Sequence, residues 1–547
     1  MRSLTCCIVC ISLCIFLFGS MPRPSVAQIT ATPLPYTPRL EDTPCAVEFP
    51  PDANVRCGFL LVPENRAKPG GRLIKVAFAV GKARGPNTQP DPVIYLHGGP
   101  GMSVIGRVRW WPFSPFRQTR DVIVLDQRGA GLSEPSLDCP ELSDLPVEAL
   151  LRERTFEQVA SYHADRALQC ALRLTTNGAD LTHYTNADIA ADVDDLRKAL
   201  GYTQVNLFAW SAGTRAALTM LRDFPTSVRV TILDSVFMPP GVDYYADLAR
   251  NAAATFEAFF AVCDAQPQCR EMAGGSLKGA FLRATDRLRQ IPVQLAVKNA
   301  LTGTLTSGRL NSEGFVGLLY RLLYEAYRFP TLPKLIVDVA NGNSGELSSL
   351  LEAPIAEPIY YRMGLNQSVH CTESAPFTTL DQVTTAWAAV DPHFKGYYHF
   401  DLDPFAFMQF CAKWPTRFAD PRDNQPVKSD VPALILSGSF DPASPPAHGR
   451  FAARTLTRST FIEFPTMGHF VWEYGGDCPK AIALAFLDSP DSVPDAGCIA
   501  TMPALTFGTV AQSGRTGALV LVAGAAAVGV GATAGVWLWR RASSRTR

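Results

Sequence analysis

No charge of either sign dominates this chain: 50 Lys and Arg stand against 50 Asp and Glu among 547 residues. A balanced surface offers no electrostatic pull toward nucleic acid or an acidic membrane face. Basic residues form no run longer than a pair anywhere in the chain, which argues against a nucleic-acid partner. Histidine is scarce, at eight residues, and no H-E-x-x-H or His/Cys cluster occurs. After residue 27 there is no C-x-x-C pair either, so neither a structural nor a catalytic metal is expected. There is no G-x-x-x-x-G-K-[ST], and no G-x-G-x-x-G entering a helix, so the phosphate-cradling loops are missing. These lacks leave a chain that works without a cofactor.

Long apolar runs are confined to the two ends. Arg2 precedes a run from Leu4 to Phe18, and Ser25-Val26-Ala27 supplies a small-x-small cleavage site before Gln28. Residues 1–27 therefore read as a secretory signal peptide, the alternative being an uncleaved N-terminal anchor. Thr516 to Trp539 is 24 residues without a charge, between Arg515 and Arg540-Arg541. A helix of that length would span about 36 Å, enough for a bilayer core. Trp537 and Trp539 suit the interfacial belt, and the basic tail 540–547 suits the inner face. The expected topology is a single-pass cell-membrane protein with its body on the extracytoplasmic side; a buried soluble helix is the alternative. Gly531 and Gly535 form a small-xxx-small pair through which two such helices could make a homodimer. Cys6, Cys7, Cys10 and Cys14 fall within the signal, leaving ten cysteines at 45, 57, 139, 170, 263, 269, 371, 411, 478 and 498. An even count in an exported chain implies disulfides, and neighbours in order give five closable loops, although connectivity stays open.

Between the ends the rhythm is that of strands alternating with helices. Residues 28–44, rich in Pro and Thr, read as an extended lead-in. Phe59 to Val62 and Leu73 to Val80 read as an opening strand pair. Val93-Ile94-Tyr95-Leu96 and Val122-Ile123-Val124-Leu125 are short buried strands. Helical periodicity fills about 141–200, with Ile189, Val193, Leu196 and Leu200 on one face. Val228 to Leu233 is another buried strand; from 237 to 428 the chain turns mostly helical, and strands resume at Ala433 to Leu436 and Phe461 to Phe464. The reading is a mainly parallel sheet with helices on both faces. Its first part spans 45–236 and its second 429–505, with a helical cap inserted over the strand ends where such sheets bind ligands.

Chemistry is concentrated at Val205-Asn206-Leu207-Phe208-Ala209-Trp210-Ser211-Ala212-Gly213-Thr214-Arg215. A buried strand runs into a serine between small residues and then at once into a helix, the context of a nucleophile elbow. A plain turn with an idle serine is the alternative until partners for Ser211 are found. The expected order is Ser, then acid, then His. Asp441 follows one late strand and His469, in a Gly-flanked loop, follows the next, so both fall on the same sheet edge as Ser211. Asp234, ending the strand after the nucleophile helix, is the rival acid. His448 follows Asp441 too closely to be oriented by it and reads as the start of a surface helix. Oxyanion donors would be the backbone N–H of Ala212 and of Gly99, in His97-Gly98-Gly99-Pro100-Gly101. The alternative there is a tight turn without a ligand.

These segments, with Asp126-Gln127-Arg128-Gly129-Ala130-Gly131-Leu132-Ser133, resemble the prolyl-iminopeptidase branch of the α/β-hydrolases. Within it the chain is most similar to secreted tripeptidyl aminopeptidases, through Cys57 to Pro63, Cys411-Ala412-Lys413-Trp414-Pro415 and the late cysteines Cys478 and Cys498. Ala209 replaces the family's glycine. The resemblance implies a Ser211–His469–Asp441 triad acting on short peptides, or on small acyl substrates if the chain is an esterase. It also implies an acidic group under the cap for a peptide's free amine, for which Glu373 is the candidate by position, with a solvated surface Glu as the alternative; Trp210 is a further candidate for substrate contact.

Overall fold

The computed structural model describes residues 36–507, apart from 51–52, 107, 109–110, 152–153, 299–304, 352–361 and 398–403. The signal peptide 1–27, the span 516–539 with Gly531 and Gly535, and the tail 540–547 lie outside the described residues. Among those that are described, no helix is long and apolar enough to cross a membrane.

Nine strands form one sheet: β1 (Arg39–Thr43), β2 (Val55–Pro63), β3 (Leu73–Gly81), β4 (Val93–Leu96), β5 (Val122–Leu125), β6 (Val205–Trp210), β7 (Val228–Asp234), β10 (Ala433–Gly438) and β11 (Ser459–Phe464). Their order across the sheet is β1-β2-β3-β5-β4-β6-β7-β10-β11. The first three pair antiparallel, β3 is antiparallel to β5, and from β5 to β11 every pairing is parallel. Part of the lead-in thus becomes an edge strand, with Arg39 opposite Leu61. That strand carries Arg39, Glu41 and Asp42, charges suited to an exposed edge and silent in a search for apolar alternation.

The central strands are apolar on both faces because both are covered. Alternation decides which core each side chain joins. Ile123, Leu125, Leu207 and Ala209 enter the core beneath the nucleophile helix and the cap, whereas Val122, Val124 and Phe208 enter a second core with Trp111, Phe116, Trp472 and Phe486. Parallel register brings the strand ends level: Leu96 lies beside Ala209, Trp210 beside Asp234, and Leu436 beside Asp234. Loops leaving these ends therefore meet over one rim.

Between β7 and β10 the chain forms helices including Tyr244–Asp264, Leu277–Gln290, Ser312–Leu322, Met363–Glu373 and Leu380–Ala388. It also forms an antiparallel pair, β8 (Val293–Lys298) with β9 (Leu305–Leu310). The segment after β5 shares in this layer. Its helix Phe156–Thr176, opened by a Thr155/Gln158 capping box, packs Phe156 on Trp387 and Tyr397 and His163 on Gln367. Five disulfides join cysteines that neighbour one another in sequence: Cys45–Cys57, Cys139–Cys170, Cys263–Cys269, Cys371–Cys411 and Cys478–Cys498. Cys139, Cys170 and Glu141 lie together, but the sulfurs are bonded to each other and Glu141 pairs with Arg173.

Candidate active site

Ser211 sits between β6 and the helix Ala212–Asp223 at φ 53° and ψ −129°. A non-glycine residue held there costs about 1–3 kcal/mol, supplied by surrounding structure. Its amide donates to the Asp234 carbonyl at 3.0 Å, and its carbonyl accepts from the Thr214 amide and hydroxyl at 2.8 and 2.5 Å. Thr214 Oγ1 in turn accepts from the Phe237 amide at 3.0 Å. The small flanking residues are required by contact: a Cβ on Gly213 would lie 2.2 Å from the Leu96 carbonyl oxygen, and one on Gly98 would lie 2.9 Å from Ser211 Cβ. The His97–Gly101 loop is thereby laid directly against the serine.

Asp441 and His469 are joined. The carboxylate's Oδ2 lies 2.8 Å from imidazole Nδ1, and both side chains are buried. Burial alone would raise the Asp441 carboxyl. The facing imidazole and the N–H groups of Ser444 and Ala443 outweigh that and hold it below the usual carboxylate value. The acid thus stays ionised and fixes which imidazole nitrogen carries the proton. The His469 ring packs against Trp210 at 5.3 Å and Tyr324 at 4.8 Å, and its amide donates to the Tyr324 carbonyl at 3.0 Å. Gly468 permits this approach, since a Cβ there would meet the Leu323 carbonyl at 2.2 Å.

Asp234 is no partner of the imidazole nitrogen: its two oxygens accept from the backbone N–H of Val471 and Trp472 at 3.1 and 2.8 Å. His448 is a correction to the sequence reading. It lies on the helix Pro446–Ala453 but is buried rather than at the surface, and burial pushes its pKa down to about 4. Its helix packs inward because Gly449 lets Phe461 and Ile435 close on it.

Gly99 takes φ +117°, and a Cβ there would crowd the amides of Gly101 and Met102. Gln127 braces the loop and Asp126 the turn after it, while Arg128 ties the end of β5 to the helix beneath. Gln127 Oε1 accepts from the Gly101 amide and Nε2 donates to the His97 carbonyl, each at 3.3 Å. Asp126 accepts from Ser103 Oγ and the amides of Val104, Ile105 and Leu132. Arg128, fully buried, holds Asp192 in a two-pronged ion pair at 2.7 and 2.6 Å. The signal for all three was their place after β5, the strand beside β4. His97 stays neutral, its pKa lowered by burial to about 3, with Nδ1 accepting from the Gly98 amide at 2.7 Å.

Trp210 stacks on Phe470 at 4.3 Å and packs on His97 at 4.8 Å, forming a wall beside His469. Glu373 is buried, not solvated. Asn186 donates to it through backbone and side chain at 2.6 and 2.7 Å, and Arg215 Nε is 3.5 Å away. Burial raises its carboxyl, and Arg215 opposes the rise. A polar cavity of about 130 Å³ adjoins Glu373, lined also by Arg215, Asp243, Tyr244 and Tyr245.

Residues 91–291 match the family model described as alpha/beta hydrolase fold, and residues 402–498 match that of the TAP-like protein. The serine protease Hip1 of Mycobacterium tuberculosis is 24% identical over 87% of this chain and 92% of its own. The tripeptidyl aminopeptidase of Streptomyces lividans is 27% identical over 73% and 75%. The putative hydrolase YuaR of Escherichia coli is 23% identical over 73% and 80%. The chain thus has the alpha/beta hydrolase fold, with a TAP-like region toward its C-terminal end, and it is similar to serine proteases and tripeptidyl aminopeptidases.

Proposed function

We propose that the chain is an aminopeptidase that releases N-terminal residues or short peptides through an acyl-enzyme on Ser211. The observation that carries the reading is the buried Asp441–His469 pair at 2.8 Å, on the loops after β10 and β11, at the rim where β6 delivers Ser211. Ser211 Oγ attacks the scissile carbonyl as His469 takes its proton. The tetrahedral oxyanion is met by the amides of Ala212 and Gly99. Collapse expels the amine, which takes the proton back from the imidazolium; water then attacks the ester by the same route. The names of the relatives, tripeptidyl aminopeptidase and serine protease, support a peptide substrate.

One observation favours an esterase instead. Glu373, the acidic candidate for a free amine, already faces Arg215 and the two N–H groups of Asn186. A compensated carboxylate attracts an ammonium group weakly. Hydrolysis of a free-amine tripeptidyl anilide, its N-acetyl form and a short-chain p-nitrophenyl ester separates the readings. An aminopeptidase loses most turnover on acetylation; equal rates for the two anilides refute it. Ser211→Ala lowers kcat by several orders of magnitude on every substrate if the serine is the nucleophile, leaving a residue of activity from the oxyanion hole. Localisation is proposed on sequence alone: secretion by residues 1–27 and anchoring by 516–539, with the enzyme facing outward.

A further inference from the structure

Three non-glycine residues take positive φ within one hydrogen-bonded cluster: Ser211 at 53°, Ser235 at 57° and Phe470 at 71°. What links them is Asp234-Ser235, at the end of β7. The Asp234 carbonyl accepts the Ser211 amide. Its carboxylate accepts the amides of Val471 and Trp472 at 3.1 and 2.8 Å, and Ser235 Oγ accepts that of Phe470 at 3.0 Å. Ser235 Oγ also donates to Asp234 Oδ1 at 3.1 Å, and the Ser235 amide donates to the Leu436 carbonyl at 2.9 Å. One dipeptide thus grips the backbone of the serine elbow on one side and three successive amides just after His469 on the other. Both residues are wholly buried, so no water replaces a lost acceptor.

We propose that Asp234 and Ser235 are positioning residues that set the distance between Ser211 and His469, acting through backbone and touching neither substrate nor the imidazole nitrogens. This rests on the serine-hydrolase reading above and adds to it. Adjacent side chains explain why three consecutive amides can be held: a carboxylate offers two acceptors and the next hydroxyl a third, in line with the loop. The strained φ values at Ser211 and Phe470 are what such a bracket must sustain.

The bracket also carries a pH signature. Burial lifts the Asp234 carboxyl to about 7, against the N–H groups of Trp472 and Val471, the charge of His469 and the Ser235 hydroxyl; the Tyr95 hydroxyl faces the same carboxyl from β4. Below that pH a protonated Asp234 loses acceptor strength toward the loop. Two groups, the imidazole and Asp234, must then be unprotonated for activity.

The test uses the full-length protein with Asp234→Asn and Ser235→Ala, following fluorophosphonate labelling of Ser211 and kcat and KM on a p-nitrophenyl ester. Asp234→Asn is expected to slow labelling and kcat about 100-fold with KM little changed, as for an ångström-scale misplacement. Ser235→Ala, which strips one acceptor, is expected to cost about 10-fold. The fall of log kcat/KM as pH drops through about 7 should have a shallower slope in Asp234→Asn than in the wild type. A loss of stability without repositioning would leave slope and kcat of the folded fraction unchanged. Wild-type labelling, kcat and slope in both variants overturn the inference, while loss of activity in Ser211→Ala leaves the serine reading intact. Should Asp234→Asn fail to fold, Ser235→Ala decides alone, by kcat and labelling at circular-dichroism-matched folded concentration.

Discussion

Gly213→Ala tests how closely the elbow is built. Gly213 is the second residue of the helix Ala212–Asp223, and its backbone lies outside the left-handed region, so alanine is locally acceptable and elsewhere would stabilise a helix by about 0.5–1 kcal/mol. Here the new methyl would lie 2.2 Å from the Leu96 carbonyl oxygen and 2.7 Å from that of His97. Ordinary carbon–oxygen contacts start near ~3.3 Å, so the end of β4 and the helix must part by about 1 Å. Both neighbours are backbone, with no side chain to swing aside. Overpacking of this kind costs about 1–3 kcal/mol or more, which exceeds the propensity gain and sets the sign as destabilising. Since β4 leads straight into the His97–Gly101 loop, the same movement shifts Gly99 relative to Ser211, for a loss of about 10²-fold in kcat/KM. Gly279→Ala is the control: it occupies the first turn of the helix Leu277–Gln290, where the nearest atom to a Cβ is 3.5 Å away at the tip of Arg283. Thermal unfolding and ester hydrolysis, run side by side, read both effects. A Gly213→Ala enzyme as stable and as fast as Gly279→Ala would refute the reasoning.

Asp441→Asn should keep the fold and lower kcat by about 10³–10⁴-fold, because a neutral amide no longer selects the imidazole tautomer; single-turnover kinetics would show it. As the Asp441 carboxyl is held below its usual 3.8, its stabilising contribution is present at neutral pH and lost as pH falls through that lowered value. Asp234 has the opposite sign. Raised to about 7, it keeps a proton in the folded state that the unfolded chain has lost above 3.8, so its contribution falls as pH rises across that window. A melting-temperature profile of Asp234→Asn should accordingly be flatter between those limits than that of the wild type. Replacing both cysteines of Cys371–Cys411, 40 residues apart, should cost about 4 kcal/mol by loop entropy, against about 2.4 for Cys263–Cys269, 6 apart; denaturant melts of the two serine pairs would rank them.

What could be read from the chain alone was whatever depends on neighbours in sequence. Apolar tetrads such as Val93 to Leu96 declare buried strands, because a strand covered on both faces has no polar side to alternate with. The small residues around Ser211 declare a tight turn, and the order Ser211, Asp441, His469 declares which loops share a rim. The charged edge strand Arg39–Thr43 escaped that reading, since its partner β2 lies beyond a turn and its side chains follow no apolar period. The β8–β9 pair escaped for a related reason, lying within a long helical stretch.

Tertiary structure decided the assignments that depend on which side chain meets which. Asp234 ends one strand and Asp441 follows another, and sequence alone left them as rivals. Packing separates them, giving Asp441 to the imidazole and Asp234 to the backbone beyond it. Glu373 had a surface reading and an amine-binding one, and its burial against Arg215 and Asn186 removes the first. Local pattern reports the preference of a residue for water or core, whereas a pairwise contact between positions hundreds of residues apart exists only once the sheet has brought its strand ends level.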